Sequence, residues 1–477
     1  MTRIAMDTLT MQANEGVPGQ RFRSQVAVPH VLEQRFHKTM YYSLQSLRGR
    51  HVGPFVRKLQ RWEALDREQF ESLTARLLRN ALRFASRRVP LYSSESWREA
   101  LARVDAENLS AWPVLERRML ITQRSELLAR RANAGVFSRT SSGSTGELVN
   151  VAYNPAAGGW SWAQEYRSMY WFGIPPGSRT LLLWGGGHPL LDWVRNCRVC
   201  TTKNLTFEQL EWAASYLLKK RPMLCMGLPS AIAQLARHVR AHHPHAPAQL
   251  VPFVKLGGEQ VYDFQRQEIA EHFGARVFES YGSTEMGPIA HECPHGSRHI
   301  MADHVRLEIF NGDSPAAPGD FGDIVVTSLF NRAMPLVRCR IGDRGRISPD
   351  PCPCGLPHPV LSELVGRAAD MFATADGRLM HGSELGRRLQ LFLSKAPLGS
   401  VGQVLFEQVA AGEWKVLVES ADGFEESLAA ELRGIVHASF GEACSVSVER
   451  VALVPREKSG KYRYYRRGLP QSSAAAN

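Results

Sequence analysis

Residues 139–148, RTSSGSTGEL, set two glycines among a run of hydroxyl side chains. Backbone N–H groups exposed by glycine, together with Ser and Thr hydroxyls, suit a loop that wraps a polyphosphate. The residue after Gly146 is Glu147, where a Walker A loop would continue into Lys and Ser or Thr, so a P-loop NTPase is disfavoured. Taken alone, the stretch fits a solvated turn equally well. Its reading depends on the rest of the chain.

The chain of 477 residues exceeds a single typical core, and its 44% apolar content is ample for a large one, so two or more domains are expected. No apolar run approaches the eighteen or so residues of a membrane span, and the opening MTRIAMDTLTMQANEGVPGQ lacks the apolar core of a secretory signal. A cytoplasmic protein with no integral membrane segment is expected. Eight scattered cysteines fit metal ligands or buried thiols better than a disulfide framework. The net charge of +12 is spread over Arg-rich stretches such as 57–88 and 117–131 and reads as solvated surface; only KYRYYRR at 461–467 resembles a basic aromatic stripe, and no nucleic-acid partner is expected.

Along the chain, residues 1–30 carry no sustained periodicity and read as a flexible arm. From about 57 to 132 the pattern is helical, with Phe70, Leu73, Leu77, Leu78, Leu82 and Phe84 recurring near the 3.6 period. Between 178 and 290 the apolar runs RTLLLWG, MLCMG, FVKLGG and ARVFESYG alternate with helical stretches at 206–220, 229–242 and 262–273, a βα pattern. From 304 to 347 the pattern changes to strands. Beyond it, a strand at 403–409 paired with 414–420, a helix at 423–438 and a strand at 445–454 make a small α+β unit, and 468–477 is a tail.

Four further segments follow the hydroxyl-rich loop in order: ESYGSTEMG at 279–287, RCRIGDRGRI at 338–347, VGRAAD at 365–370 and PREKSGKYR at 455–463. Together the five resemble the motifs of the adenylate-forming superfamily of acyl-CoA synthetases, adenylation domains and luciferases, and within it the phenylacetate-CoA ligase family with its capsular polysaccharide biosynthesis relatives. The resemblance runs from about residue 40 to about 467. It implies an α/β fold: a large multi-layer AMP-binding domain over 31–366, with a β-rich subdomain at about 291–366, and a small mobile C-terminal α+β lid over 370–467.

Activating a carboxylate through ATP brings an anion against a polyanion, which calls for preorganised donors, a divalent cation and a cationic side chain. The resemblance implies that Ser141, Ser142, Gly143, Ser144, Thr145 and Gly146 clasp the β- and γ-phosphates, although Glu147 and Leu148 stand where the family has Lys and Pro. In YGSTE, with Gly282 and Ser283, it implies that Tyr281 packs on adenine, Thr284 meets the α-phosphate and Glu285 helps hold Mg2+; as bare residues, this is a turn with a helix cap. LGGE at 256–259 resembles the adenine-side loop, with Gly257 and Gly258 allowing close backbone approach beside Glu259. Asp343 matches the ribose-binding acid, though an Asp after Gly also reads as a tight turn. Arg367 matches the hinge arginine, with Ala369 replacing one of the usual acids and Asp370 retained. Lys461 matches the mobile lysine that bridges carboxylate and α-phosphate, with Lys458 a competitor.

The pair Cys352 and Cys354, with Cys293 and either His295 or His299, makes a soft donor set for a structural Zn2+. Cys197 and Cys200 are the rival pair, and either pair also reads as buried thiols. The resemblance implies Cys293, His299, Cys352 and Cys354. Trp184, His188 and Met226 lie where the family builds its acid pocket, or are ordinary core and turn residues. The expected reaction joins an aryl or aliphatic carboxylic acid to AMP, releases pyrophosphate and passes the acyl group to coenzyme A. A carrier-protein thiol or an amine is the alternative acceptor, and a catalytically reduced scaffold the alternative role; a homodimer is left open.

Overall fold

The computed structural model describes residues 30–94, 97, 109, 112–130, 135–140, 149–203, 205–365, 371–382, 385–386, 388–389, 392–393, 401–420, 426–457 and 460–467. The loop 141–148, the junction 366–370 with Arg367, and Lys458 lie outside the described residues.

Three helices lead in: α1 (Val31–Leu47), α2 (Val52–Glu63) and α3 (Arg67–Arg88). α3 starts at a capping box in which the Asp66 carboxylate accepts from Gln69 N at 2.8 Å, a device that stabilises a helix start by about 1 kcal/mol. Phe70, Leu73, Ala81, Leu82 and Ala85 form its buried stripe, while Leu77, Leu78 and Phe84 are half-buried. The helix stops at Val89, since the residue before Pro90 is held out of the helical region. Strands β1 (Phe137–Thr140) and β2 (Asn150–Tyr153) then pair antiparallel, with Thr140 opposite Asn150. The two strands are therefore the arms of a β-hairpin.

Helix α4 (Pro155–Trp171) is buried on nearly every side beneath a seven-stranded sheet. The sheet comprises β3 (Thr180–Trp184), β4 (Cys197–Thr201), β5 (Leu224–Gly227), β6 (Phe253–Gly257), β7 (Arg276–Ser283), β8 (Gly287–Glu292) and β9 (Arg298–Ile300), in the order β4-β3-β5-β6-β7-β8-β9. β3 to β7 are parallel, and helices α5 (Pro189–Val194), α6 (Phe207–Lys220), α7 (Pro229–His242) and α8 (Asp263–Phe273) connect them. Strands covered on both faces need continuous apolar runs, which explains why LLL, LCM and FVKL show no alternation. An ionic layer fastens α4 to its surroundings: buried Arg167 lies 2.7 Å from Glu63 and 2.6 Å from Asp303. Burial pushes Asp303 up, but the Arg167 guanidinium more than offsets this and holds the carboxyl below its usual range.

The β-rich unit begins at Val305, where the strand pattern starts, and not at about 291 as the resemblance implied. Residues 287–300 supply β8 and β9, which complete the large sheet because β8 folds back antiparallel on β7. The second sheet holds β10 (Val305–Asn311), β11 (Ser314–Pro315), β12 (Phe321–Ser328), β13 (Cys339–Ile347) and β14 (Leu361–Val365), all antiparallel, in the order β11-β10-β12-β13-β14.

After the short pair β15 (Met371–Ala373) and β16 (Leu379–His381), residues 401–467 build a sheet of β17 (Val404–Ala410), β18 (Glu413–Glu419), β19 (Ser445–Val451) and β20 (Tyr465–Arg467), ordered β19-β18-β17-β20 and packed on α9 (Glu426–Phe440). Phe406, Trp414, Leu432 and Phe440 anchor its own apolar core. Among the described residues, no helix is long and apolar enough to cross a membrane.

Candidate active site

The parallel strands deliver their carboxyl ends to one edge of the large sheet: β3 ends at Trp184, β5 at Gly227, β6 at Gly257 and β7 at Ser283. Ligands of open α/β sheets bind at this end, where loops diverge and backbone groups lie exposed. Here YGSTE is a hairpin, not the helix cap its residue types also allow. Tyr281, Gly282 and Ser283 finish β7, Thr284 to Met286 make the turn, and β8 starts at Gly287. Gly282 is required, since a Cβ there would collide with the Gly287 carbonyl oxygen. The buried Tyr153 hydroxyl fixes the turn from β2, lying 2.8 Å from the Thr284 carbonyl oxygen and 2.9 Å from that of Glu285. The Ser283 hydroxyl accepts from Met286 N at 3.1 Å.

The turn buries the Glu285 side chain to 5% exposure, and Arg117 Nη1 donates to its Oε1 at 2.6 Å. Tyr281 donates its hydroxyl to Asp343 Oδ2 at 2.6 Å, joining the two sheets at this edge. Asp343 reaches that position from inside β13, not from a tight turn. Arg340 pairs with Val325 and Arg344 with Asp323, so three residues of β13 face Ile324 alone, and Gly342 takes a φ of 86°. The bulge bends the strand and re-aims the carboxylate toward β7.

Gly258 takes a φ of 86°, and its missing side chain makes room for the Trp184 indole, which a Cβ would strike. Glu259 turns its carboxylate away along the edge. It accepts from Ser230 N and Ser230 Oγ, both at 3.1 Å, and from Tyr462 N at 2.6 Å. Burial pushes this carboxyl above its usual range, against the Tyr462 amide and the Arg456 guanidinium, which favour its charged form. The side chain thus grips the C-terminal segment.

Arg456 holds the same segment, donating to Ser230 Oγ at 3.3 Å, Gln234 Oε1 at 3.0 Å and the Gly460 carbonyl at 3.1 Å. Further along the interface, Gln265 donates to the Tyr464 hydroxyl at 2.6 Å, and Arg237 to the Gly402 carbonyl at 3.3 Å. Gly460, at φ 82°, lies against Gly185 and Thr202, just past the ends of β3 and β4. Half-buried Lys461 follows it and so enters at the strand-end edge.

Of the acid-pocket candidates, Trp184 lies at this edge, 38% exposed. Exposed His188 caps α5, its Nδ1 accepting from Leu191 N at 3.4 Å. Met226 lines a small cleft between α4 and the sheet, near the amino ends of β3, β4 and β5, which Arg195 and Tyr166 also line.

Behind β8, Cys293, His299, Cys352 and Cys354 are all buried, with their four donor atoms within 4.8 Å of one another. Cys293 Sγ and Cys352 Sγ are 3.8 Å apart, and Cys354 Sγ lies 3.2 Å from His299 Nε2. His299 Nδ1 faces the His358 carbonyl at 2.9 Å, which places the ring proton there and leaves Nε2 as a donor to the cluster. Four-coordinate zinc with bonds of about 2.3 Å to sulfur needs sulfur atoms about 3.8 Å apart, which the Cys293–Cys352 separation matches. Cys197 and Cys200 lie in β4 as buried thiols, each pushed up to about 11 by burial.

No family model matches the chain. A phenylacetate-coenzyme A ligase of Thermus thermophilus is 27% identical over 341 residues, covering 65% of this chain and 73% of that protein. Ligases of the same description from Pseudomonas putida and Escherichia coli match at 28% and 34% over shorter stretches, 40% and 23% of their lengths. Among solved structures, 2-hydroxyisobutyryl-CoA ligase in the postadenylation state, complexed with R3-HIB-AMP, superposes with a TM-score of 0.68 at 18% identity, over 86% of this chain and 91% of that one. Its thioesterification state, complexed with 2-HIB-AMP and CoA, superposes at 0.56, with 19% identity over 85% and 91%. The chain has the fold of the adenylate-forming CoA ligases.

On this ligase fold, the edge brings together Tyr281, Thr284, Glu285, Asp343, Gly258 and the segment bearing Lys461. Three contributors carry no local signal: Arg117, which reads as one of many surface arginines; Tyr153, an unremarked strand residue; and Arg456, at the rim of the last motif. Each acts through a partner more than 100 positions away or on another sheet, and no spacing rule marks such pairs. Gly460→Ala should loosen the docked segment, since Ala strains at φ 82° and its Cβ meets Thr202. Hydrogen exchange at 454–465 should quicken relative to the unaltered chain; unchanged protection would show that Gly460 is not a required contact.

Proposed function

We propose that the chain activates a carboxylic acid as its acyl-adenylate, releasing pyrophosphate, and passes the acyl group to coenzyme A. One observation carries this reading: residues from three separated motifs, Tyr281 with Glu285, Asp343 and Lys461, come to one sheet edge. The phenylacetate-coenzyme A ligases support it by sequence and the hydroxyisobutyryl-CoA ligase by fold.

The carboxylate oxygen attacks the α-phosphorus of ATP, forming an acyl–phosphate bond as the bond to the pyrophosphate oxygen breaks. Tyr281 supports adenine, its ring held by the bond to Asp343. The two oxygens of its carboxylate suit Asp343 to the ribose diol. Glu285 would hold Mg2+, which neutralises phosphate charge; Arg117 keeps this buried carboxylate aimed at the edge. Lys461 supplies a point charge to the incoming carboxylate and the α-phosphate. The loop 141–148, on the β1–β2 hairpin, is assigned to the β- and γ-phosphates, and Arg367 to the ribose and phosphate across the junction between the large unit and the C-terminal lid. Transfer to a carrier thiol or an amine remains the alternative ending, and a capsule-type biosynthetic pathway is as compatible with the chain as acid catabolism. The cytoplasm is the assigned compartment.

ATP–pyrophosphate exchange against aryl, hydroxy and fatty acids, with Mg2+, should proceed with at least one acid, and Lys461→Ala should lower it about 100- to 1,000-fold while ATP still binds. No exchange with any acid would favour the scaffold role, and unchanged exchange in the variant would show the lysine misassigned.

We assign a structural zinc to Cys293, His299, Cys352 and Cys354. With all four positions filled by protein, it braces β8, β9 and the 352–358 loop and takes no part in chemistry. Purified protein dialysed against a mild chelator should retain one zinc per chain, and Cys352→Ser should lose it and melt earlier. Zinc-free protein whose stability is unmoved by that substitution would refute the assignment.

A further inference from the structure

A second donor cluster sits apart from the strand-end edge, on the helices that cover the sheet. Glu211 lies one turn into α6, His238 on the last turns of α7, and His243 immediately past its end. His238 Nε2 and His243 Nε2 each lie 3.0 Å from the same oxygen, Glu211 Oε2, and the three donor atoms fall within 4.8 Å of one another. We propose that Glu211, His238 and His243 form a binding site for a borderline-soft divalent transition metal such as zinc, cobalt or nickel, separate from the cysteine cluster and completed by solvent.

The donor chemistry selects the ion. Two imidazole nitrogens and a carboxylate oxygen match zinc, cobalt or nickel, whereas magnesium and calcium prefer sets made wholly of oxygen. The protein holds the rings in place. His238 is 4% exposed in its side chain, and Phe207 packs edge-on against it with ring centroids 5.0 Å apart and against His242 at 5.1 Å. His242 in turn lies 4.6 Å from His238, ring to ring, enclosing the site on that side. Glu211 at 38% and His243 at 22% side-chain exposure open the other side to water. The site is therefore half-walled, with three protein ligands and room for solvent ligands, unlike the closed cysteine set. An ion there would tie α6 to the carboxyl end of α7, whose amino end carries the Ser230 and Gln234 contacts to the Lys461 segment.

The test titrates Co2+ into the full chain after its cysteine cluster has been filled with zinc. One further equivalent should bind, giving weak d–d absorption without a thiolate-to-cobalt band, and excess Mg2+ should not displace it. His243→Ala and Glu211→Gln should each weaken binding by at least about tenfold, as loss of a direct ligand exceeds the loss usual for an outer partner. Glu211→Gln keeps an oxygen that can accept both imidazole N–H groups, so it separates metal ligation from plain hydrogen bonding. Both residues are partly exposed, and matching metal-free melting curves would confirm that the variants fold. Absence of a further equivalent, a thiolate band on binding, or affinity in both variants equal to that of the unaltered chain would overturn the proposal.

Discussion

The Glu259 carboxylate, accepting from Ser230 on one side and from Tyr462 N on the other, joins the last segment of the chain to the edge of the large sheet. A lysine delivered on a separate unit is useful only where its ammonium meets the developing charge, and its four-carbon stem is flexible. The protein therefore fixes the backbone on either side of Lys461. Glu259 holds the amide that follows it, and Arg456 holds the carbonyl of Gly460 that precedes it. Charged partners make these bonds stronger than neutral ones, and their partial burial limits screening by solvent.

The rest of the edge is built by cross-links of the same kind between separately formed layers. Tyr281 to Asp343 ties the large sheet to the β-rich sheet, Tyr153 ties the β1–β2 hairpin to the Thr284–Glu285 turn, and Arg117 ties a lead-in segment to Glu285. Beneath them, Arg167 with Glu63 and Asp303 anchors α4 under the sheet. Removing one member of such a buried set costs about 3–5 kcal/mol, because the remaining charge is left without a partner. The edge is consequently cross-braced where the nucleotide is assigned, while the docked segment rests on a few polar bonds.

Much of this was legible in the residues. The βα alternation over 178–290 follows from apolar runs too short for helices and from caps such as Thr206 and Gly274, and the helices lie where their periodicity put them. The four cysteine and histidine side chains meet although 59 positions separate Cys293 from Cys352. The strand pattern from 304 matches the start of β10, whereas the start at about 291 differs because 287–300 has strand character whichever sheet it joins, and its pairing with β7 is a long-range fact. The YGSTE turn satisfies the residue preferences of a helix start, yet the Tyr153 hydroxyl and the β7–β8 pairing make it a hairpin. The Glu259 side chain could not be assigned from LGGE, since its partner lies 203 residues onward.

The account turns on Glu259 positioning Lys461 for the first half-reaction. With an acid that supports exchange, the two halves can be timed separately in Glu259→Ala: acyl-adenylate formation from acid and ATP, and thioester formation from supplied acyl-adenylate and coenzyme A. The account predicts that the first slows by about a hundredfold, the effect of a misplaced reacting group, and that the second is little changed. Unaltered adenylate formation, or equal slowing of both halves, would contradict it.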